Sequence, residues 1–287
     1  MDQRSLLMHQ IMLADRPRLA AYDRALARAV EPGDIVADVG AGTLVLSLLA
    51  LKHGAGHVYA VEADPGTVAV AERIVRDNDL GARLTLVQGD ARVARLKRKA
   101  DVVVSEMMGN LGPEEQMTAV LDTFCRRNAA PGARRVPAAV TTRLAAVEFD
   151  GEGWGIWGED FHGFRLDAVQ EYAEPAAQLH FFQREPKLLG PAVAAGPGRP
   201  VCLPLAEKGR LQAVIGYFTA DFGDGHTLAN FPSYPGCNWA VWVWPVRHTE
   251  VGAGDEVRVR LLAPGGAADR LADGWRLETR LVRQGRP

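Results

Sequence analysis

The stretch SEMMGNLGPEEQM, Ser105 to Met117, sets Glu106 and Glu115 nine residues apart around a glycine-containing loop that holds two methionines and no lysine or arginine. The apolar run DVVV (101–104) leads straight into it. Two carboxylates that face one pocket repel each other unless they share a proton or a cation. A guanidinium suits such a pair, being planar, cationic and able to donate two parallel hydrogen bonds to a carboxylate. Glu114, beside Glu115, reads as a first-turn helix acid favoured by the helix dipole. Glu106 closes an apolar strand, and that explanation does not serve it.

A second constellation lies upstream. In DVGAG (38–42) the glycines Gly40 and Gly42 allow a tight turn between a strand and a helix, with Asp38 beneath it. The helix start behind that turn offers unpaired N–H groups to a polar or anionic ligand. A third glycine is expected where Leu44 stands, and a leucine fits there if its side chain enters the packing between helix and sheet. Glu62 ends the next strand, where an acid can hold both hydroxyls of a ribose. Asp90 ends the third, placed to meet an adenine ring. Acids at strand ends are often just solvated loop residues, yet three in register at the carboxyl edge of one sheet are harder to explain that way. A nicotinamide-dependent enzyme shares this logic and remains open on these residues alone.

These side chains need a framework, and the first half of the chain predicts one. Apolar runs at 34–39, 57–63, 83–90 and 100–106 alternate with helical patterns at 16–30, 44–54, 65–78 and 114–128. Such alternation implies a parallel sheet with helices on both faces. After about residue 136 the rhythm becomes one of alternating strands, AVTTRLAAVEF, RLQAVIGYFTADF, NWAVWVWPV, DEVRVRLL and GWRLETRLV, punctuated by Gly and Pro. This predicts an antiparallel barrel or sandwich with one helical interruption near 157–177. The boundaries read from the sequence are an N-terminal helical segment over 1–30, an α/β domain over 31–136 and a β domain over 137–287.

Bulk properties narrow the class. The chain has 287 residues, is 47% hydrophobic and carries a net charge of −2, which suits a globular protein and argues against a dedicated nucleic-acid binder. It contains no apolar stretch long enough to span a membrane, and its start lacks the apolar core of a signal peptide. Cys125, Cys202 and Cys237 are scattered and odd in number, which fits neither a metal site nor a disulfide framework and is consistent with a cytoplasmic protein.

With both constellations and the two-part framework in view, the chain resembles the protein arginine methyltransferase family of class I S-adenosylmethionine (SAM)-dependent enzymes. SEMMGNLGPEEQM matches the family's double-glutamate loop. HQIMLADRPRLAAY (9–22) resembles the segment that folds over the cofactor, HGFRLDAVQEYAEP (162–175) the region of the dimerisation arm, and LQAVIGYFTADF (211–222) a barrel strand. CNWAVWVW (237–244) falls where the family carries a Thr-His-Trp loop. The resemblance implies a Rossmann-like domain followed by a β-barrel, SAM as cofactor, and a homodimer in which an arm over about 163–186 docks on a second subunit.

By residue, the resemblance implies that Arg18 pairs with the cofactor carboxylate, with His9 nearby. Gly40 and Gly42 line the methionine part, and Glu62 holds the ribose. Glu106 and Glu115 clamp the substrate guanidinium. Met12 and Met108 crowd the accepting nitrogen, while Asn238 and Trp239 stand in the substrate loop. The departures are Leu44 for the third glycine, Arg92 for a glutamate near the adenine, and Asn238 for the loop histidine. Only eight residues precede His9, so the family's N-terminal aromatic motif has no counterpart. Two alternatives stand beside the arginine reading: a methyltransferase acting on another small nitrogen nucleophile, and a catalytically inactive scaffold. The intact carboxylate pair opposes the second.

Overall fold

Five segments build one parallel sheet in the computed structural model, which describes residues 3–149, 160–169, 177–182, 184–232, 236, 239–264 and 274–284, and only the backbone of Arg4, Glu115 and Asp167. The strands are β1 (Ile35–Val39), β2 (His57–Glu62), β3 (Leu84–Gln88), β4 (Ala100–Ser105) and β5 (Ala129–Val136), in the order β3-β2-β1-β4-β5. Every residue of β1 is buried, as expected for a central strand covered on both faces. β5 was not expected. Its sequence, AAPGARRV, holds a proline, a glycine and two arginines, and it forms because it pairs with β4 at the sheet edge, where one side needs no partner.

The helices are α1 (Gln3–Ala14), α2 (Arg16–Ala29), α3 (Val45–Lys52), α4 (Pro65–Asp77) and α5 (Met117–Asn128). Asp15 caps α2 by accepting from the Arg18 amide, and Asp64 caps α4 by accepting from the Thr67 amide at 2.6 Å. The helix expected over 114–128 is broken: a 3-10 turn, Pro113–Glu115, comes first, and Gln116, at φ 56°, separates it from α5.

The strand order reverses between β1 and β4, so the crevice of this open sheet lies at their carboxyl ends. The glycine turn leaves β1 there and Glu106 leaves β4 there.

The second half is antiparallel. The long strands Ala139–Glu148, Gly209–Asp221 and Val241–Val251 lie side by side in a seven-stranded sheet, and Pro200–Pro204, Glu256–Leu262 and Arg276–Val282 form a three-stranded one. Leu144, Val214, Trp242 and Trp244 from the large sheet pack with Leu203, Val257, Val259 and Leu261 from the small one, forming the barrel core. A further cluster joins the two halves, with Tyr22, Leu26, Met108 and Met117 packed against Phe218, Ala220, Leu228 and Trp239. Of the helical interruption expected near 157–177, the described residues form a short hairpin, Asp160–Phe161 with Phe164–Arg165, and a 3-10 turn, Asp167–Val169. The rest of that segment lies outside the described residues, as does part of the arm.

Candidate active site

The turn after β1 is shaped by its glycines. Gly40 and Gly42 have φ of 77° and 53°, a region that side chains disfavour. The amides of Gly40 and Ala41 both donate to the Val61 carbonyl, and the Gly42 amide donates to Glu62 Oε2 at 2.9 Å. Glu62 Oε1 accepts from the Asp64 amide, so two backbone donors aim this carboxylate along the crevice. The His9 ring, from α1, lies over Gly42: a Cβ at position 42 would stand 2.8 Å from its Cε1. Burial lowers the His9 pKa, and the nearby Arg18 charge acts in the same direction, while Glu62 opposes both. Asp38 lies fully buried under the turn and accepts from Ser47 Oγ at 2.7 Å; its other oxygen has no partner among the described residues. Burial pushes its pKa up to about 7.

Leu44 adopts φ 69° and is fully buried in the helix–sheet core, the packing expected for a leucine at this place. The backbone keeps the left-handed conformation that suits glycine, and the side chain fills the core.

On the acceptor side, Glu106 emerges from β4 and pairs with the Arg18 guanidinium through Nη2. Both side chains are at least nine-tenths buried. Glu106 Oε1 also accepts from the Met108 amide at 3.1 Å. The guanidinium lies 5.3 Å from the Trp239 ring centroid, a cation–π contact from the barrel side. Arg18 Nη1 is buried and has no partner among the described residues. It borders an open cleft of about 490 Å³, counted with its mouth, whose walls include His9, Met12, Gly40, Gly42 and Glu106. Tyr22 donates to the Ser105 carbonyl at 3.0 Å; burial first, and then the Glu106 charge, raises its pKa well above the usual phenol value, so it stays protonated.

The structure therefore brings His9, Met12, Arg18, Gly40, Gly42, Glu62 and Glu106 to one crevice, with Asp38 below and Trp239 behind Arg18. Met108 is in the core and meets the site through its backbone: its carbonyl accepts from Trp239 Nε1 at 3.0 Å. Glu115 ends the 3-10 turn, and its side chain, like the whole of Asn238, lies outside the described residues. Asp90 is engaged by its neighbour: Arg92 donates to it from its amide at 2.8 Å and from its guanidinium at 2.6 to 3.0 Å, and this contact lowers the carboxyl pKa. Glu114 is not a helix-start acid. Its carboxylate accepts from the Leu111 amide at 2.7 Å and from Trp242 Nε1 at 3.2 Å, a bond to a strand distant in sequence that local spacing does not reveal. Tyr22 and the stacking of Trp239 on Arg18 also escaped the sequence reading. Among the described residues no group of three or more His, Cys, Asp or Glu is arranged to hold a metal ion.

The parallel sheet with ligand-facing groups at its switch point, joined to an antiparallel barrel, defines a class I methyltransferase fold with an appended β-barrel. The family profile of ribosomal protein L11 methyltransferase (PrmA) matches residues 20–113. The chain is 27% identical to protein arginine N-methyltransferase 1 of Chlamydomonas reinhardtii over 272 residues, covering 87% of this chain and 78% of that one. Among solved structures it superposes on Arabidopsis thaliana protein arginine methyltransferase 10 with a TM-score of 0.77, at 21% identity, over 97% of this chain and 94% of that one. It superposes on the Trypanosoma brucei protein arginine methyltransferase 1 enzyme–prozyme heterotetrameric complex with AdoHcy with a TM-score of 0.73, at 19% identity, over 96% and 98%. The chain is thus similar to protein arginine N-methyltransferases along most of its length. Other relatives are matched over smaller shares of their own length, from 21% to 54%.

Proposed function

We propose that the chain transfers a methyl group from SAM to a guanidinium nitrogen of arginine. The observation that carries this reading is the buried Arg18–Glu106 pair, which leaves one arginine nitrogen without a partner among the described residues, at a cleft beside a glycine turn. A buried N–H without an acceptor is costly, and a ligand carboxylate would satisfy it. The residues present fit the cofactor: Arg18 Nη1 for its carboxylate, Gly40 and Gly42 for close backbone approach, Glu62 for the ribose hydroxyls, and His9, held towards its neutral form, as a wall. Asp90 is assigned to the adenine end, where Arg92 already engages it. When bound, SAM supplies a methyl group on a positively charged sulfur.

The chain's own residues do the rest. Glu106 and Glu115 hold the acceptor guanidinium and concentrate its electron density on the nitrogen that attacks. They stabilise the positive charge that grows on the guanidinium as its new N–C bond forms, and one of the two carboxylates takes the proton that this nitrogen releases. Met12 narrows the space around that nitrogen, and Trp239 with Asn238 borders the acceptor. Arg18 couples the two halves of the site, with Nη1 for the cofactor carboxylate and Nη2 on Glu106.

The reading includes a homodimer, formed by an arm over about 163–186 docking on the cofactor domain of a second copy. The exposed Phe161 and Phe164 of the hairpin and the exposed Leu6 and Leu7 of α1 support it, since apolar surface of this kind marks partner contacts. No described helix is long and apolar enough to cross a membrane. A cytoplasmic location belongs to the proposal and rests on the scattered cysteines.

Incubation with SAM and a panel of free arginine, arginine peptides and guanidine metabolites, read by mass spectrometry, tests the activity. Glu106→Gln and Glu115→Gln are expected to cut kcat by about 100-fold or more, the size of effect seen when a transition-state electrostatic contact is removed. Cofactor affinity, measured calorimetrically, should be largely kept, because Arg18 retains Nη1 and its Trp239 contact. Full turnover in both variants would sink the mechanism.

A further inference from the structure

We propose that Glu114 is a positioning residue of the acceptor loop, joining it to the barrel strand Val241–Val251 and so setting where Glu106 and Glu115 stand. Its geometry stands alone; its kinetic consequence rests on the methyl-transfer reading above. Residues 109–112 close on themselves, the Gly109 amide donating to the Gly112 carbonyl at 2.9 Å and the Gly112 amide to the Gly109 carbonyl at 3.0 Å. Gly112 adopts φ 94°, and a Cβ there would lie 2.7 Å from Val140 Cγ1. Glu114 folds back over this turn: a Cβ at position 109 would lie 2.8 Å from the Glu114 Cβ, so the carboxylate can sit here only above a glycine. One oxygen then takes the Leu111 amide and the other the Trp242 indole N–H.

The anchor is rigid. Trp242 is 1% exposed and stacks on Trp244, with centroids 5.8 Å apart and an interplanar angle of 12°. Further bonds run in parallel. Asn110 Oδ1 accepts from the Ala240 amide at 2.8 Å, its carbonyl accepts from Asn230 Nδ2 at 2.9 Å, and Thr142 Oγ1 donates to the Leu111 carbonyl at 2.7 Å. Asn110, Leu111 and Met108 are thus bonded to barrel residues too, while Glu114 alone of these joins the turn's own Leu111 amide to a barrel side chain. A carboxylate suits this task because its two oxygens accept from two diverging donors, and removing it would leave both a buried indole N–H and a backbone N–H unpaired.

Three variants test this: Glu114→Ala, Glu114→Gln and Trp242→Phe. In Glu114→Ala, hydrogen exchange over residues 106–117 should rise by about tenfold or more while exchange over β1 and β2 is unchanged, since only local opening is affected. With a glycine-flanked arginine peptide, kcat should fall by about tenfold or more with the dissociation constant for SAM within about twofold, a split that general destabilisation would not produce. Glu114→Gln, which keeps one acceptor but turns a donor towards the other N–H, should recover only part of both losses. Trp242→Phe should share them in part, and combining it with Glu114→Ala should add little.

Wild-type exchange at 106–117 in Glu114→Ala overturns the proposal, as does a loss of cofactor affinity that matches the loss of turnover. If Glu114→Ala does not fold, Trp242→Phe decides by the same measurements. A wild-type protein that methylates nothing in the panel refutes the methyl-transfer reading, and the exchange data then still decide the role of Glu114.

Discussion

Asp38 supports the glycine turn at an electrostatic cost. It is fully buried, one oxygen is held by Ser47, and burial raises its pKa to about 7. The folded state therefore keeps a proton that the unfolded chain, with an ordinary carboxyl near 3.8, has already released. The stability that this protonation contributes is fully present below the unfolded value and is lost as pH rises to about 7. His9 and His248, whose pKa values burial lowers, act in the opposite sense, adding stability as pH rises through 6.5. Comparing the protein with Asp38→Asn cancels their contribution, and asparagine retains an acceptor for Ser47. Denaturant titrations at several pH values should show wild-type stability falling relative to Asp38→Asn between about pH 4 and 7, by at most about 4 kcal/mol. A constant difference would mean that Asp38 is not desolvated as described.

At the scale of elements, the start of α3 sets two demands against each other. Position 44 has a left-handed backbone, which costs a leucine about 1–2 kcal/mol relative to glycine. Its side chain is fully buried between helix and sheet, and deleting a buried leucine side chain costs about 2–5 kcal/mol. The second term is larger, so Leu44→Gly, although it restores the glycine pattern, is expected to destabilise by about 1–3 kcal/mol, seen as a lower midpoint in thermal or chemical denaturation. A stabilised variant would show that backbone strain outweighs packing here. The same comparison of local preference with long-range packing explains β5. Its sequence has no strand pattern, and it is a strand because β4 offers it an edge. The loop that leaves β4 is similar: its own residues 109–112 form a turn, and its hydrogen bonds to the barrel decide where the turn points.

At the scale of the whole molecule, the halves are bound at the site itself. Tyr22 from α2, Met108 from the loop, and Phe218 and Trp239 from the barrel belong to one buried cluster, and Arg18 lies over the Trp239 ring, so the barrel is part of the framework of the candidate site. The proposed second copy extends this logic, since the arm hairpin carries Phe164 at 70% exposure, unusual for so large an apolar side chain. Light scattering at micromolar concentration is expected to give twice the chain mass of 31.0 kDa, and Phe164→Asp should shift the population towards monomer. A wild-type monomer under those conditions contradicts the dimer.

The strand–helix alternation, the glycine turn with Asp38 and Glu62, and Glu106 at the end of β4 were legible in the amino-acid sequence, because they depend on local periodicity and short spacing. The change to antiparallel strands after residue 136 was legible for the same reason. Other features depended on pairs far apart in the chain. Arg18 meets Glu106 across 88 positions, and Glu114 meets Trp242 across 128. Nothing local distinguishes Glu114 from an ordinary helix-start acid, whereas the partner of Asp90 is Arg92, only two residues on. The sequence by itself determined the fold class and the types of groups delivered to the crevice, since backbone periodicity and turn chemistry are local properties. Only the tertiary structure decided which of those groups are already engaged, because a carboxylate's partners are set by which distant donors are packed within hydrogen-bond reach.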